Sequence, residues 1–307
     1  MSKASQLSLF GAELGRVINV ASVRQLSPFR YPGGKTWLVP RIRLWLKYQP
    51  VEFIEPFAGG GIISLTVIAE NLAKHAVMVE LDEQVAAVWK TILIDKDAVS
   101  LADKIVSFDL TPESLQREMA KTPTSTIEKA FQTILKNRTY HGGILATGSA
   151  PLKHGENGKG IKSRWYAETL RKRILEIAKL RDRITFIEGD GLEVIRQNAK
   201  VKDAAYFVDP PYTAAGKKAG KRLYAHSELN HEALFNLMDS VRGDFLMTYD
   251  DTYYIRRLAA KHKFDTELVA MKNTHHAEMT ELLIGRDLNW ARLQDSEKEA
   301  CFTSTGV

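Results

Sequence analysis

The chain has 307 residues, of which 44% are hydrophobic and 26% charged, and its formal net charge is +6. This composition excludes a disordered or fibrous chain, and the length fits one large domain or a domain with a sizeable insertion. The positive charge suits a polyanionic partner, although an ordinary soluble surface would also carry it.

Neither a membrane span nor an export signal is expected. The longest apolar run, 58–69, contains three glycines and is shorter than the ~20 residues that a span needs. Glu13 and Arg16 interrupt the segment where a signal peptide would have its apolar region. The single cysteine, Cys301, excludes an intrachain disulfide and a cysteine-cluster zinc site, so we expect a reducing cytoplasm.

The first half of the chain predicts an arm, a βαβ region and a helical segment. Residues 1–23 lack hydrophobic periodicity, and we expect a loose N-terminal arm. Strand and helix patterns alternate over 51–96 around a glycine-rich turn, which is typical of βαβ units in a mainly parallel sheet. From 97 to 180 the pattern changes to helices that are separated by a polar, glycine-rich stretch at 142–162.

Strand and helix patterns alternate again over 181–290. An α/β fold is therefore expected from two parts of the chain, 24–96 and 181–290, with the helical segment between them. Only a short turn separates the last two strand patterns, 266–272 and 279–287, which predicts an antiparallel hairpin. Residues 291–307 are expected to form a C-terminal tail.

A glycine-rich turn follows the first predicted strand, in the segment 55–61. Glycine lets the backbone approach a ligand closely, and the start of the next helix offers unpaired N–H groups. A P-loop is excluded, because the Gly-Lys-Thr run at 34–36 would require a glycine where the chain has Phe29. The turn predicts a nucleotide site, and a tight turn without a ligand is the alternative.

Carboxylates follow the next two predicted strands. Glu80 and Asp82 come after the glycine turn at about the 20-residue spacing that places a carboxylate on ribose hydroxyls in a doubly wound fold. Glu80 is still within the strand pattern and is the better ligand, whereas Asp82 equally suits the start of a helix. Asp190 ends a later strand and could accept a hydrogen bond from an adenine amino group.

The run Asp209-Pro210-Pro211-Tyr212 follows an apolar strand, so it lies at the carboxyl edge of the predicted sheet, where doubly wound folds bind ligands. The prolines stiffen the turn and leave the Asp209 carboxylate and the Pro210 carbonyl as acceptors. Tyr212 supplies a flat face for stacking. Two acceptors beside an aromatic ring predict the binding of a planar exocyclic amine, and a purely structural turn is the alternative.

Together these motifs resemble the Dam-like DNA adenine methyltransferases, over about residues 28–290. The segments that carry the resemblance are, in chain order, FRYPGGK, EPFAGGG, VELDE, NRTYHGG, DPPY and MTELLI. The chain departs from the family at Glu80, where an Asp is usual, but a carboxylate is kept. It also departs after Arg138, where a long segment rich in glycine and lysine prevents any transfer of the target sequence.

The resemblance implies a Rossmann-like class I methyltransferase sheet with a helical target-recognition insertion at 97–180. It implies S-adenosylmethionine as cofactor without a metal, and a monomer that acts on double-stranded DNA in the cytoplasm of a bacterial or phage-infected cell. The target adenine would flip out of the duplex, because its amino group cannot be reached there. The implied catalytic residues are Asp209, Pro210 and Tyr212. The implied cofactor residues are Tyr31, Lys35, Phe57, Ala58, Gly59, Gly60, Gly61, Glu80 and Asp190.

Basic residues in three regions are expected to contact DNA. The first set adjoins the helical insertion and comprises Arg138 and His141. The second set lies in or beside the glycine-rich stretch and comprises Lys153, Lys159, Lys162 and Arg164. The third set directly follows the catalytic motif, where it suits a clamp on the duplex, and comprises Lys217, Lys218, Lys221 and Arg222. For any single lysine, ordinary solubility is the alternative.

The N-terminal arm carries a separate motif, QLSLF at residues 6–10. It resembles the short peptide by which bacterial replication and repair proteins dock on the DNA sliding clamp. The residues that would bind the clamp are Gln6, Leu7, Leu9 and Phe10. An extended terminus with apolar and polar anchors suits binding in a groove, and an arm that folds back on the core is the alternative.

Two other functions stay open. One is methylation of the cytosine amino group or of RNA, which product analysis separates from adenine methylation in DNA. The other is a catalytically silent, nucleic-acid-binding relative of the enzymes. The intact Asp209 and the intact glycine turn argue against this second alternative.

Overall fold

The computed structural model describes residues 22–30, 34–145, 148–155, 158–211, 229–272 and 278–292. The strands within them are β1 Glu52–Glu55, β2 His75–Glu80, β3 Ile184–Glu188, β4 Ala204–Val208, β5 Asp244–Tyr249, β6 Asp265–Lys272 and β7 Glu278–Gly285. They form one sheet in the order β3-β2-β1-β4-β5-β7-β6.

Strands β1 to β5 pair in parallel, and β7 runs antiparallel between β5 and β6. Every residue of the central strand β4 is buried, because parallel sheets are covered by helices on both faces, and this explains its unbroken apolar sequence. The sheet is therefore parallel except for one reversed strand, β7. The expected α/β fold and its antiparallel final hairpin are therefore confirmed.

Helices cover the sheet and connect its strands. Their bounds are α1 Val39–Trp45, α2 Ile62–Ala69, α3 Glu83–Trp89, α4 Ala98–Ser107, α5 Pro112–Met119, α6 Thr126–Thr139, α7 Ala167–Ala178, α8 Gly191–Asn198, α9 His231–Ser240 and α10 Tyr253–Lys261. A π-helical turn, Lys90–Ile94, extends α3. Short 3-10 turns occupy Lys35–Leu38, Leu46–Tyr48, His141–Gly143, Gly160–Arg164 and Arg181–Arg183. Among the described helices, none is both long and apolar enough to cross a membrane.

Helix α3 begins where the acidic residues after β2 predicted a possible helix start. The Asp82 side chain accepts hydrogen bonds from the backbone N–H groups of Gln84 and Val85. Such a cap satisfies N–H groups that would otherwise lack partners in the first turn. Asp82 therefore caps α3, and Glu80 remains the candidate site residue at the end of β2.

The helical segment between α3 and β3 shares the core of the sheet domain. Leu101 of α4, Phe131 of α6 and Ile174 of α7 belong to the same hydrophobic cluster as Val85 and Trp89 of α3. That cluster also contains residues from one face of the sheet. The segment is thus anchored to the sheet through α3, the helix that follows Glu80.

The carboxyl ends of the parallel strands meet at one edge of the sheet. Glu55 ends β1, Glu80 ends β2, and Asp209 directly follows β4. Since β2, β1 and β4 are neighbours in the sheet, these three carboxyl groups come from adjacent strands. In open α/β sheets this is the edge at which ligands bind.

Candidate active site

The glycine loop between β1 and α2 is held by side chains from three parts of the chain. The Gly59 N–H donates to Glu80 Oε2 over 2.8 Å, and the Gly59 carbonyl accepts from Trp89 Nε1 over 3.0 Å. The Gly60 carbonyl accepts from the Ser27 hydroxyl over 2.6 Å. The loop is therefore fixed before any ligand arrives, and its shape depends on Ser27 and Trp89, which the sequence did not single out.

Gly61 is the position where this loop requires glycine. Its φ angle is +62°, in the left-handed region that residues with a Cβ seldom adopt. A Cβ there would lie 2.5 Å from Met78 Cε and 3.0 Å from the Trp89 ring. Helix α2 begins at the next residue, so its first N–H groups face the edge of the sheet where an anion or a nucleotide would bind.

Glu80 joins the end of β2 to the glycine loop. Its Oε2 accepts from Gly59 and its Oε1 accepts from the Asp82 N–H, each over 2.8 Å. Burial raises the pKa of the Glu80 carboxyl to about 7, and the backbone N–H donors oppose that rise. Glu80, the residue that is expected to bind the ribose, thus organises the glycine loop beside it.

Glu55 is a buried carboxyl group that the sequence analysis did not assign to the site. It accepts from the backbone N–H of Ser64 over 3.0 Å and from the Ser64 hydroxyl. Burial raises its pKa to about 8; the Ser64 hydrogen bonds oppose the rise, and the charges of Asp209 and Glu80 add to it. An acidic residue that ends an apolar strand before a glycine turn was the available sequence signal.

Asp209, the first residue of the predicted catalytic motif, is held by two donors. Its Oδ1 accepts from the Thr248 hydroxyl over 2.8 Å and lies 2.9 Å from Lys35 Nζ. The side chain remains 22% exposed, whereas Lys35 is almost completely buried. Pro210, the next residue, is buried as well. Strand β5 and the 3-10 turn before α1 therefore both orient this carboxylate.

Lys35, which is expected to contact the cofactor, also contacts two carboxylates of the protein. Its Nζ lies 2.9 Å from Glu281 Oε1 on β7 as well as from Asp209 Oδ1. Burial alone would lower the pKa of Lys35, but the two carboxylates outweigh this and raise that pKa above its ordinary value. We therefore assign Lys35 to the support of Asp209. Glu281 is a further site residue that the sequence analysis missed.

The other expected cofactor residues lie around the same edge. Phe57 is half-buried and Ala58 is buried in the glycine loop. Asp190 is exposed after β3, where its side chain accepts from the Leu192 N–H over 2.9 Å and caps α8. Tyr31 lies outside the described residues. In the described part of the chain, no group of three or more His, Cys, Asp or Glu side chains is arranged to hold a metal ion.

The DNA contact expected from Arg138 has to be corrected. Arg138 is only 4% exposed, and its Nε donates to the Pro28 carbonyl over 3.1 Å. Burial lowers the pKa of its guanidinium to about 9, with further contributions from Arg173 and Arg30. Arg138 follows Ile134 by four residues on the buried face of α6, and this helical spacing was a signal for a structural role.

Asn137 acts with Arg138 to attach α6 to the segment before the site. Its Oδ1 accepts from the Arg30 N–H over 2.8 Å, and its Nδ2 donates to the Arg30 carbonyl over 3.0 Å. The same Nδ2 donates to the Gly143 carbonyl over 2.8 Å. The Asn-Arg pair therefore holds the 28–30 segment, which leads directly to Lys35.

The remaining basic residues of the insertion lie at the surface. His141 is exposed, and its N–H donates to Ala150 over 3.0 Å in a short antiparallel pairing that includes Tyr140 and Pro151. Lys153 is exposed just beyond that pairing. Lys159 and Lys162 are exposed, and Arg164 is half-buried.

Some predicted site residues lie outside the described residues. They are Tyr212 of the catalytic motif, the basic residues Lys217, Lys218, Lys221 and Arg222, and the arm residues Gln6, Leu7, Leu9 and Phe10. Their proposed roles rest on the sequence.

The chain is similar to several known methyltransferases. The chain is 22% identical to the type II methyltransferase M.MjaIII of Methanocaldococcus jannaschii, over 77% of this chain and 92% of that protein. It is also 22% identical to the type II methyltransferase M1.LlaDCHI of Lactococcus lactis subsp. cremoris, over 84% of this chain and 95% of that protein. A solved structure of an rRNA methyltransferase from Streptomyces viridochromogenes is similar with a TM-score of 0.37 at 12% identity, over 83% of this chain and 86% of that chain. Residues 31–274 match the family model of the D12 class N6 adenine-specific DNA methyltransferases, and the chain belongs to that family.

Proposed function

We propose that this protein transfers a methyl group from S-adenosylmethionine to the exocyclic amino group of an adenine that is flipped out of duplex DNA at a specific site. The observation that carries the proposal is the position of Asp209. Its carboxylate lies at the carboxyl end of β4, beside the glycine loop after β1, and is held by Lys35 and Thr248. Family membership supports the reaction type and the adenine target.

The residues around the glycine loop fit the proposed cofactor. The left-handed Gly61 lets the backbone pass close to a ligand, and the start of α2 offers N–H groups. Glu80 has a carboxylate that could accept hydrogen bonds from ribose hydroxyls, and Phe57 of the glycine loop is half-buried. When bound, S-adenosylmethionine supplies a methyl group that its sulfonium makes electrophilic. Asp190 would accept from the adenine amino group of the cofactor at the end of the next strand.

Asp209 and the Pro210 carbonyl act on the substrate amine. An aromatic amine is a poor nucleophile, because its lone pair is delocalised into the ring. Two acceptors that hold the amino hydrogens draw the nitrogen towards tetrahedral geometry and stabilise its developing positive charge. A fixed orientation of the Asp209 carboxylate supplies much of the rate, since it positions the amine for attack. The surplus proton then passes from the methylated amine to solvent water.

Lys35 and Glu281 support this carboxylate from the interior. Lys35 bridges Asp209 and Glu281 with two contacts of 2.9 Å, so its ammonium cannot move without losing one of these two carboxylate partners. Thr248 adds a hydrogen bond from β5. In this proposal Glu281 is a positioning residue, because it reaches Asp209 only through Lys35.

Tyr212 and the basic residues of the surface would bind the DNA. Flipping the adenine costs a few kcal/mol, and stacking on Tyr212 would offset roughly 1–3 kcal/mol of it. The exposed His141 and Lys153, together with the basic residues 217–222, would contact phosphates. We further expect the enzyme to act on DNA in the cytoplasm and as a monomer.

The sequence of the arm supports a second partner, the bacterial sliding clamp. Leu9 and Phe10 would be apolar anchors in a groove of the clamp, with Gln6 and Leu7 beside them. Docking would raise the local concentration of the enzyme at newly replicated DNA. Capture of purified clamp by the wild type, with loss in the Leu9→Ala, Phe10→Ala double variant, tests this partner. If both proteins capture the clamp equally, or if the wild type captures none, the clamp is not a partner of this protein.

Single-molecule sequencing tests the enzymatic proposal in cells. DNA from cells that express the wild type should carry methylated adenine at one recurring sequence, and DNA from cells that express Asp209→Ala should not. Methylation of cytosine, or modification of RNA alone, would replace the adenine in DNA as the target. Absence of any modification with both proteins would favour the catalytically silent relative.

A further inference from the structure

Two adjacent tyrosines are exposed at the catalytic edge of the sheet. Tyr253 and Tyr254 are the first two residues of α10, and their side chains are 68% and 42% exposed. Strand β5 ends at Tyr249, only a few residues earlier, so the two rings follow the carboxyl end of that strand. Large aromatic rings at a protein surface are candidates for contact with a partner.

The position of β5 relates these rings to Asp209. Strand β5 pairs in parallel with β4. Thr248 of β5 donates directly to Asp209. Tyr249, the last residue of β5, follows Thr248 directly, and burial raises the pKa of its hydroxyl.

The rings lie on the substrate side of the site. Strand β1, with the glycine loop, borders β4 on one side, and β5 borders it on the other. The tyrosines therefore follow the strand on the far side of Asp209 from the proposed cofactor loop. A molecule that contacts them while it approaches Asp209 is the substrate rather than the cofactor.

The charges around the turn indicate which part of DNA would bind. Asp250 and Asp251 precede α10, and Asp251 Oδ1 is paired with Arg256 Nε over 2.5 Å. The Arg257 guanidinium lies 5.8 Å from the centre of the Tyr253 ring. The carboxylates of Asp250 and Asp251 balance the guanidiniums of Arg256 and Arg257, so this turn offers no net positive charge to a phosphate, whereas the uncharged face of a base can stack on tyrosine.

We propose that Tyr253 and Tyr254 form an aromatic platform that stacks on DNA bases next to the flipped adenine. The inference rests on the proposed DNA substrate and adds a specific contact to it. The Thr252 hydroxyl accepts from the Ile255 N–H over 3.3 Å and caps α10, so the rings project from a fixed helix start. Bases that lose their stacking partner when the target leaves the duplex are the ones that the platform would receive.

The test compares tyrosine variants in binding to a mixed-sequence duplex of about 30 base pairs and to one of its single strands, with a non-reactive cofactor analogue present. The Tyr253→Ala, Tyr254→Ala double variant should bind both at least about fivefold more weakly, because it loses base stacking. The corresponding Phe double variant should bind within about twofold of the wild type. The dependence of affinity on salt should have the same slope in all of them, since no phosphate contact changes.

Tyr48→Ala is the matched control. Tyr48 is 51% exposed but lies before β1, at the amino edge of the sheet, and its loss should leave DNA affinity unchanged. A Tyr253→Gln, Tyr254→Gln double variant, which keeps polar side chains at the helix start, should weaken binding as the Ala variant does.

Several outcomes would overturn the platform. These are unchanged affinity of the Ala and Gln double variants, an equal loss in the Phe variant, and a loss confined to cofactor binding or to melting temperature. If the wild type methylates DNA and the Ala variant binds normally, only this inference fails. If the wild type neither binds nor methylates DNA, the proposed function fails with it.

Discussion

Lys35 Nζ lies 2.9 Å from Asp209 Oδ1, so a residue that precedes the first strand holds the carboxylate that follows the fourth. Glu281 on β7 holds the same ammonium from the other side. Two carboxylates therefore share one buried cation at the centre of the proposed site. Because a buried charge is costly unless it is paired, each member of the group depends on the others.

Replacement of Lys35 by Met should destabilise the fold as well as slow methyl transfer. Removing one partner from a buried charge pair typically costs about 3–5 kcal/mol, since the other charge is left uncompensated. Urea unfolding of Lys35→Met against the wild type measures the loss. Lys47→Met, at an exposed lysine near the amino edge, is the control and should change stability by less than about 0.5 kcal/mol.

A second substitution makes this prediction more specific. In Lys35→Met, Asp209 and Glu281 both lose their contact with the lysine. Adding Glu281→Gln removes one of these two negative charges and should restore part of the lost stability. The account of the buried group is incorrect if Lys35→Met unfolds at the same urea concentration as the wild type. It is also incorrect if the double variant is less stable by the sum of the two single losses.

Gly61→Ala should lower the free energy of unfolding by about 1–3 kcal/mol and weaken cofactor binding. The left-handed backbone costs an Ala residue about 1–2 kcal/mol, and the new Cβ meets Met78 and Trp89. Gly189→Ala is the matched control at the same edge, because its Cβ would find the nearest atom at 3.7 Å. Equal stability of the two variants would contradict the requirement for glycine at Gly61.

Cofactor affinity should rise with pH up to about pH 7 and then level off. The pKa of Glu80 in the free protein is about 7, because burial opposes ionisation. Ribose hydroxyls donate to the ionised carboxylate, so binding lowers this pKa and releases a proton. Titration calorimetry with S-adenosylmethionine from pH 5.5 to 8 measures the effect.

The Glu80→Gln variant supplies the comparison for that titration. It should bind the cofactor more weakly at pH 8 and should lose most of the increase between pH 5.5 and 7. A wild-type affinity that falls as pH rises towards 7, or an identical pH profile in Glu80→Gln, would rule out the ribose role of this carboxylate.

The basic residues after the catalytic motif should contribute to binding without reading sequence. Replacing Lys217, Lys218 and Lys221 by Ala should weaken binding to all DNA sequences alike and flatten its salt dependence, because phosphate contacts release counterions. The control replaces Lys47 and Lys74, two exposed lysines near the amino edge. If the triple variant instead changes the methylated sequence, these residues read bases.

Local patterns in the sequence were sufficient to predict most of the fold. The alternation of strands and helices, the glycine loop and the final hairpin depend on periodicity and on turn residues, which act over short distances. The fully buried β4 was recognisable as an apolar run that ends in Asp209. The positions of Glu55, Glu80 and Asp209 at one edge then follow from the parallel topology.

Contacts between distant residues could not be predicted in this way. Glu281 reaches Lys35 only because β7 inserts between β5 and β6, and no local pattern reports that insertion. Arg138 looked like a surface cation, but the packing of α6 against the 28–30 segment buries it. The sequence located the carboxylates at the strand ends, whereas burial decided which basic residues remain accessible.

Asp209→Ala, assayed by product analysis, tests the central claim most directly. Purified wild type and variant are incubated with duplex DNA and methyl-labelled S-adenosylmethionine, and the DNA is then digested to nucleosides. The wild type should place the label on the amino nitrogen of adenine. The variant should bind the cofactor normally but react at least ~10- to 100-fold more slowly, as expected for the loss of a charge-assisted hydrogen bond. Equal labelling by Asp209→Ala, or label on cytosine instead of adenine, would contradict the account.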